Sequence, residues 1–379
     1  MLLSNRIFVF ILLILLSLYA ILFLSLNNNC QTISLSEKNT NSTIISQIAN
    51  STKKSIKDKD DDNFNKRMES YKKKYNVKNI VACVFYGRKV YTEILFRYLD
   101  RNLKRNGGIL DKIIIMNNLM SGKVNVSIEY QFLRKYLDSH EYGYELYEFN
   151  IGGSFQKMYS TLKDDDLVFK IDDDIVFIAN NTFKNMVEDY FTNNRFILSA
   201  NVINHHTLSA IHANMNLMLP FYKIANNSWI MGCNKTTNKN LKIFNECVKY
   251  MHMWRVKTEC SVIAHESFLY NIYENNFNLN MYNFQLFEFF NKMSKSIYRW
   301  RINFILFTGR HLNKIGSLYP KMHSDEEIIT VNLTNLNEKI NFALGSAVVA
   351  HFSYSENIKY MEKTNIIKKY DKLSFDYFK

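Results

Sequence analysis

Three consecutive carboxylates, Asp172-Asp173-Asp174, are the densest chemistry in this chain. They follow the run Leu167 to Ile171 and precede a second apolar run, Ile175 to Ile178. Adjacent acids repel one another and lose hydration at the end of a buried segment. A bound divalent cation removes that cost, and oxygen ligands suit Mg2+ or Mn2+, with a diphosphate supplying further oxygens. A polar turn between two strands is the plain alternative. An EF-hand loop is excluded, because the glycine and the downstream glutamate at loop spacing are missing. Asp164-Asp165-Asp166 differ in precedent: they come before their strand and read as an exposed loop or helix-end cluster. Arg88, directly after Gly87, is a candidate partner for phosphate, with a solvated surface arginine as the competing account. His265-Glu266 at the opening of a helical stretch could supply a base, and helix capping explains them equally well.

The elements that must position these groups follow from the apolar runs. Ile80 to Tyr86 is a β-rich run ended by Gly87, and Val90 to Lys104 carries apolar residues at helical spacing up to Gly107-Gly108. Ile113 to Met116 is a second strand, and a helix from about Ile128 to Asp138 leads to a strand at Glu145 to Phe149. Gly152-Gly153 open a third helix ending near Leu162. Leu167 to Ile171 is the next strand, followed by a helix from Thr182 to Phe191 and a strand from Phe196 to Ala200. Alternating strands and helices with largely apolar strands predict an α/β fold, a mixed and mostly parallel Rossmann-like sheet flanked by helices. In such sheets ligands bind beyond the carboxyl ends of the strands, which is where Asp172 to Asp174 fall.

Lys170-Ile171-Asp172-Asp173-Asp174-Ile175-Val176-Phe177 resembles the D-x-D region of GT-A glycosyltransferases, including the β-1,3-galactosyltransferase-like group. In that family the acids hold Mn2+ or Mg2+ that grips the diphosphate of a sugar nucleotide. The resemblance makes Asp172 and Asp174 the metal pair, and gives Asp173 a contact with the ribose or sugar, or a place behind the ligands. The C-terminal half extends it. A strand at Ile302 to Thr308 precedes Gly309-Arg310-His311, then His323-Ser324-Asp325-Glu326-Glu327, then the strand Ala347 to Tyr354 carrying His351. This order is similar to the acceptor half of GT-A enzymes, where an acidic pair opening a helix supplies the base and a later strand delivers a histidine to the metal or diphosphate. Asp325 or Glu326 is then the catalytic base and His351 a third metal ligand. Ser324 fits a helix N-cap. Ordinary helix-start acids and a hydrogen-bonded strand-end histidine are the plainer accounts of these residues. His205-His206 and His212 lack a convincing ligand set and read as acceptor-side or structural.

The implied enzyme is a hexosyl- or N-acetylhexosaminyl-transferase. It takes a nucleotide-sugar donor, a UDP-sugar by resemblance, and a glycan, glycoprotein or glycolipid acceptor. The alternatives are a catalytically silent carbohydrate-binding relative and a membrane-anchored metal-dependent phosphodiesterase. The phosphodiesterase needs a two-metal His/Asp cluster that the sequence does not display.

The remaining signals bear on location. Ile7 to Leu26 is continuously apolar apart from Ser17, Tyr19 and Ser25, long enough to span a hydrocarbon core, and no A-x-A cleavage pattern follows it. An uncleaved signal anchor with residues 1–6 cytoplasmic is expected, because Arg6 precedes it and few basic residues closely follow. Residues 27–76 then form a polar lumenal stalk, with Tyr71 to Tyr75 able to begin a helix. Residues 77–379 form the catalytic domain, with 77–200 as nucleotide half and 201–379 as acceptor half. The expected address is the Golgi or endoplasmic reticulum membrane, as a single-pass type II protein. Sequons at Asn41, Asn50, Asn125, Asn180, Asn226, Asn234 and Asn332 are compatible with it. So is a disulfide among Cys233, Cys247 and Cys260, while Cys83 reads as a core thiol and Cys30 could link two chains as a homodimer. The net charge of +13 reads as a solvated basic surface and lysine-rich stalk, with no nucleic-acid partner. Residues 214–259 have no counterpart in the resemblance and read as an insertion shaping the acceptor pocket.

Overall fold

A computed structural model describes residues 63–378 except 118–125, 141, 149–154, 224–228, 232–237, 250–257, 292–295, 314, 316–323 and 355–356. Thirteen strands are described. They are β1 (Asn79–Tyr86), β2 (Lys112–Asn117), β3 (Tyr144–Glu148), β4 (Asp166–Asp172), β5 (Ile175–Ile178), β6 (Leu198–Ile203), β7 (Phe221–Lys223), β8 (Trp229–Met231), β9 (Leu286–Glu288), β10 (Phe290–Asn291), β11 (Ser296–Ile297), β12 (Phe304–Thr308) and β13 (Phe342–His351). Nine of them form one mixed sheet in the order β3-β2-β1-β4-β12-β6-β13-β5, with β9 also on β13. β7–β8 and β10–β11 are separate two-stranded ribbons.

β1, β2, β3 and β4 run parallel. β12 is antiparallel to both β4 and β6, which restores the common direction at β6 and its parallel neighbour β13. The expected α/β class and a mixed sheet are therefore found, but not a mostly parallel one: parallel and antiparallel pairings in it are equal in number, because β12, β5 and β9 enter antiparallel to their neighbours. The sheet runs without a break from the proposed nucleotide half into the acceptor half. β4 can be central because six of its seven residues are buried. Such a continuous apolar run suits a strand covered on both faces.

The helix Lys89–Asn102 connects β1 to β2 and buries Tyr91, Ile94, Leu95, Phe96, Tyr98 and Leu99. It stops before the expected glycine pair, and Gly107 instead takes φ 85° at the end of a following 3-10 turn. The C-terminal helix Ile366–Asp376 docks on it: Arg97 Nε donates to Ser374 Oγ at 2.8 Å and Arg101 Nη1 to the Ser374 carbonyl at 3.0 Å. Residues 63–75, within the expected stalk, are helical, and Phe64 and Met68 are buried against the domain.

Three local expectations change. Asp166 is buried, not exposed, because it begins β4 and accepts a hydrogen bond from Asn79 Nδ2 at 2.8 Å. His265 and Glu266 do not open a helix; they lie inside the buried helix Thr258–Glu274. Ser324 has the extended backbone of an N-cap but makes no side-chain cap bond, and Asp325 Oδ1 accepts from the Glu326 N–H instead at 2.9 Å. The expected disulfide joins Cys247 to Cys260, closing a separation of 13 residues and tying the helix Asn238–Lys249 to Thr258–Glu274. Cys83 is a buried free thiol in β1. Among the described residues no helix is long and apolar enough to cross a membrane, and residues 7–26 lie outside them.

Candidate active site

β4 ends at Asp172, a two-residue turn holds Asp173 and Asp174, and β5 begins at Ile175. Both flanking strands are core elements, so a turn this short keeps all three acids near the sheet. They do not share one environment. Asp172 is held by Lys170 and by Asn303 Nδ2 at 2.8 Å. Asp173 takes the Gly87 N–H at 3.0 Å and the Arg88 guanidinium, Nε to Oδ2 at 3.2 Å and Nη2 to Oδ1 at 2.5 Å. Asp174 lies between Arg88 Nη2 at 3.0 Å and His351 Nε2 at 3.1 Å.

The repulsion expected of the triplet is thus largely offset by this chain's own cations. Burial pushes the Asp173 carboxyl up to about 6 against the pull of Arg88. Burial also penalises Asp174, but Arg88 and His351 outweigh it and hold that carboxyl well below the ordinary range. Burial opposes the charge of Lys170, and Asp172 and Asp325 outweigh it, so the ammonium is held above its usual value.

His351 arrives from β13 through an irregularity in pairing. Ala350 faces Phe177 on β5, but His351 faces Ile175, so the register slips between the two residues. The extra residue is Val176 of β5, and such a bulge bends and twists its strand locally, here beside Asp174 and His351. Phe352 N donates to the Asp174 carbonyl at 2.9 Å, and Asn204 Nδ2 donates to the carbonyls of His351 and Phe352. Asp172, Asp174 and His351 each offer a ligand atom, all within 4.8 Å of one another. The Asp174 oxygens are buried and ion-paired with Arg88 and His351, and His351 Nδ1 is buried without a hydrogen bond among the described residues. Two carboxylates and an imidazole with a buried, unpartnered Nδ1 fit a Mn2+-type ion.

No family model matches the chain, and no curated protein matches it significantly. Among solved structures it is similar to GalNAc-T7 with UDP, GalNAc and Mn2+, at 8% identity and a TM-score of 0.38. That match covers 74% of this chain and 44% of the other, so the chain spans less than half of that neighbour's length. Similarity that remote bears on neither substrate nor activity.

Asp325 and Glu326 are adjacent and differently placed. Asp325 Oδ2 accepts from Tyr159 Oη at 3.1 Å, and burial raises its carboxyl pKa against the pull of Lys170 and Tyr159. Glu326 is gripped by Arg299, Nε at 2.9 Å and Nη2 at 2.6 Å, and by Arg301 Nη1 at 2.9 Å.

Four other sequence candidates, His265, Glu266, His205 and His212, hold neighbouring side chains and backbone. His265 bridges Tyr370 Oη at 2.8 Å and the Phe352 carbonyl at 2.9 Å, and Glu266 pairs with Lys369. His205 caps the helix His206–Asn214, accepting from Thr207 N and Leu208 N, while its Nε2 meets the Arg301 carbonyl at 3.1 Å. His212 Nε2 meets Asn201 Oδ1 at 2.7 Å.

Sequence reasoning assigned no role to Lys170, Asn303, Tyr159, Arg299 or Arg301. Lys170 carried a usable signal: it is a cation in an apolar strand, two residues before Asp172 and therefore on the same strand face. The others arrive from distant segments and carried none.

Proposed function

We propose that this chain is a metal-dependent glycosyltransferase that moves a sugar from a nucleotide diphosphate to a hydroxyl acceptor. The observation that carries this reading is the convergence of Asp172, Asp174 and His351 at the carboxyl end of β4. These three residues would hold Mn2+ or Mg2+. When bound, the cation supplies Lewis-acid neutralisation of charge on the leaving diphosphate.

The resemblance to GT-A enzymes adds the UDP-sugar donor and a hexosyl or N-acetylhexosaminyl group. Arg88 follows β1 and orients Asp173 and Asp174 through its guanidinium. Asp325 is the better base of the acidic pair. Its raised pKa brings it closer to the range that suits general-base work, whereas Glu326 is neutralised by two arginines. In an inverting reaction Asp325 Oδ takes the proton of the acceptor hydroxyl.

Ile7 to Leu26 would anchor the chain with this domain in the Golgi or endoplasmic reticulum lumen. Retention in carbonate-washed membranes tests the anchor, and a shortened soluble product would refute it.

The decisive experiment is sugar-nucleotide binding and turnover by the full chain, across a donor panel. Chelation should abolish both, and Mn2+ or Mg2+ should restore them. Donor binding that is indifferent to chelator would sink the metal-dependent reading. One observation favours a catalytically silent relative instead: Arg88 already supplies positive charge at Asp174. Donor binding without turnover across the panel is the result expected of that alternative.

A further inference from the structure

Both carboxylates assigned to the cation already carry a cation of this chain: Lys170 on Asp172 and Arg88 on Asp174. We propose that Arg88 keeps Asp174 from a free divalent cation and yields it when a diphosphate arrives. The site would then admit cation and diphosphate together and largely refuse the bare ion. The proposal rests on the metal-dependent glycosyl-transfer reading and adds how that site is controlled.

Three observations carry it. The first is occupancy. Lys170 Nζ holds Asp172 and also donates to the Ile302 carbonyl at 2.9 Å. Asp174 is shared between Arg88 Nη2 at 3.0 Å and His351 Nε2 at 3.1 Å. Lys170, Asp173 and Asp174 are buried, and charges in such a place are little screened by salt. A bare dication must therefore enter against two cations of the chain, and a guanidinium does not shed its charge.

The second observation is that Arg88 grips its two acids unequally. Asp173 accepts two hydrogen bonds from it, Nε to Oδ2 at 3.2 Å and Nη2 to Oδ1 at 2.5 Å, a two-pronged clasp. Asp173 is itself anchored by the Gly87 N–H. The contact with Asp174 is an ion pair only, since Asp174 Oδ2 has no hydrogen bond among the described residues. Arg88 can thus leave Asp174 while Asp173 still holds it. Its backbone stays put, because the Arg88 carbonyl accepts from Thr92 Oγ1 at 2.7 Å and Thr92 N at 3.2 Å. The third observation is access. The Arg88 side chain is 33% exposed, and Nη1 makes no hydrogen bond among the described residues. Arginine pairs with phosphate in the same forked geometry as with a carboxylate. A diphosphate therefore gives Arg88 a substitute for Asp174 and gives the cation further oxygens. A bare cation gives Arg88 no substitute.

The test is equilibrium dialysis of the full chain in detergent against bare Mn2+ and against preformed Mn2+ complexes of a panel of nucleoside diphosphates. Wild-type protein should hold the best complex about tenfold or more tightly than bare Mn2+, within the usual range of coupling between two ligands. Arg88→Gln should bind bare Mn2+ about tenfold more tightly and the complex about tenfold less tightly, on the same scale. Opposite shifts separate this role from a structural one, in which losing Arg88 disorders the acids and weakens both. Arg88→Lys keeps the charge without the fork. It should fall between wild type and Arg88→Gln for both ligands.

Wild-type protein that binds bare Mn2+ as tightly as every complex would overturn the proposal and leave the metal-dependent transferase standing. So would Arg88→Gln protein with an unchanged thermal transition that binds bare Mn2+ no more tightly than wild type. If Arg88→Gln does not fold, Arg88→Lys decides: bare Mn2+ bound no more tightly than by wild type rejects the gate. Absence of Mn2+ binding in every form refutes the metal-dependent reading itself, and this proposal with it.

Discussion

Two runs of three acids meet at this site, and they behave differently. In Asp172 to Asp174 all three find a partner, with Asp173 5% and Asp174 1% exposed and the Asp172 side chain 25% exposed. In Asp325 to Glu327 the members diverge: Asp325 reaches Tyr159, Glu326 reaches two arginines, and Glu327 is exposed. The difference lies in the backbone beneath. A tight turn between two buried strands leaves little outward direction, so each acid meets a partner from this chain. At a helix start successive side chains fan around the axis, so one of three faces the cleft. Consecutive acids carry equal weight in a sequence, and the element they sit on decides how many can act.

The sharpest way to break the comparison is Asp174→Asn. Metal-dependent sugar-nucleotide binding should vanish and turnover should fall below detection, measured by calorimetry with Mn2+ beside a transfer assay. The variant keeps the volume and removes the charge that balances Arg88 and His351. Retained Mn2+-dependent binding would show that the first triplet is a structural ion-pair network.

The second run should split three ways. Asp325→Asn is expected to lower kcat by about 10^2 to 10^4, the range of a general base, with donor affinity within about twofold. Glu326→Gln should cost much less, about tenfold at most, because it loosens the arginines without removing the base. Glu327→Gln should be silent. Equal effects at all three positions would mean that the helix start works as one diffuse negative charge.

A smaller effect concerns the scaffold shared by both runs. His265 holds the Phe352 carbonyl beside His351, and His205 holds the Arg301 carbonyl beside Glu326. Burial lowers their pKa values from 6.5 to about 4 and about 3, and that of His212 to about 3. These imidazoles stay neutral in the folded chain while the unfolded chain binds their protons. Their contribution to stability is complete above pH 6.5 and is lost as the pH falls toward 4. For His265 alone the loss is on the order of 3 kcal/mol. Urea melts across that range should show it, and His265→Gln should flatten the dependence. Melts that do not move between pH 7 and 4 would assign these histidines ordinary, solvated titration.

Much of the fold was legible because its signals are local. Apolar runs such as Ile113 to Met116 and Leu167 to Ile171 mark strands without knowledge of their neighbours. Asp172 to Asp174 declared themselves because charge directly after a buried strand is costly. His265-Glu266 misled for the same reason: a polar pair suggests a helix opening, and nothing local shows that Tyr370 and Lys369 will meet it about a hundred residues later.

The sequence by itself determined the α/β class and the position of the three acids at the end of β4, since periodicity and desolvation cost act over a few residues; His351 became a candidate only through the resemblance to GT-A enzymes. Tertiary structure decided what those groups do to one another. The antiparallel entry of β12 brings Asn303 to Asp172, and the pairing of β13 with β5, with Val176 bulged, sets His351 beside Asp174. Arg299 and Arg301 converge on Glu326 from 25 or more residues away. Hydrogen bonds and ion pairs of this kind act over about 3 Å in space, with no period along the chain to announce them.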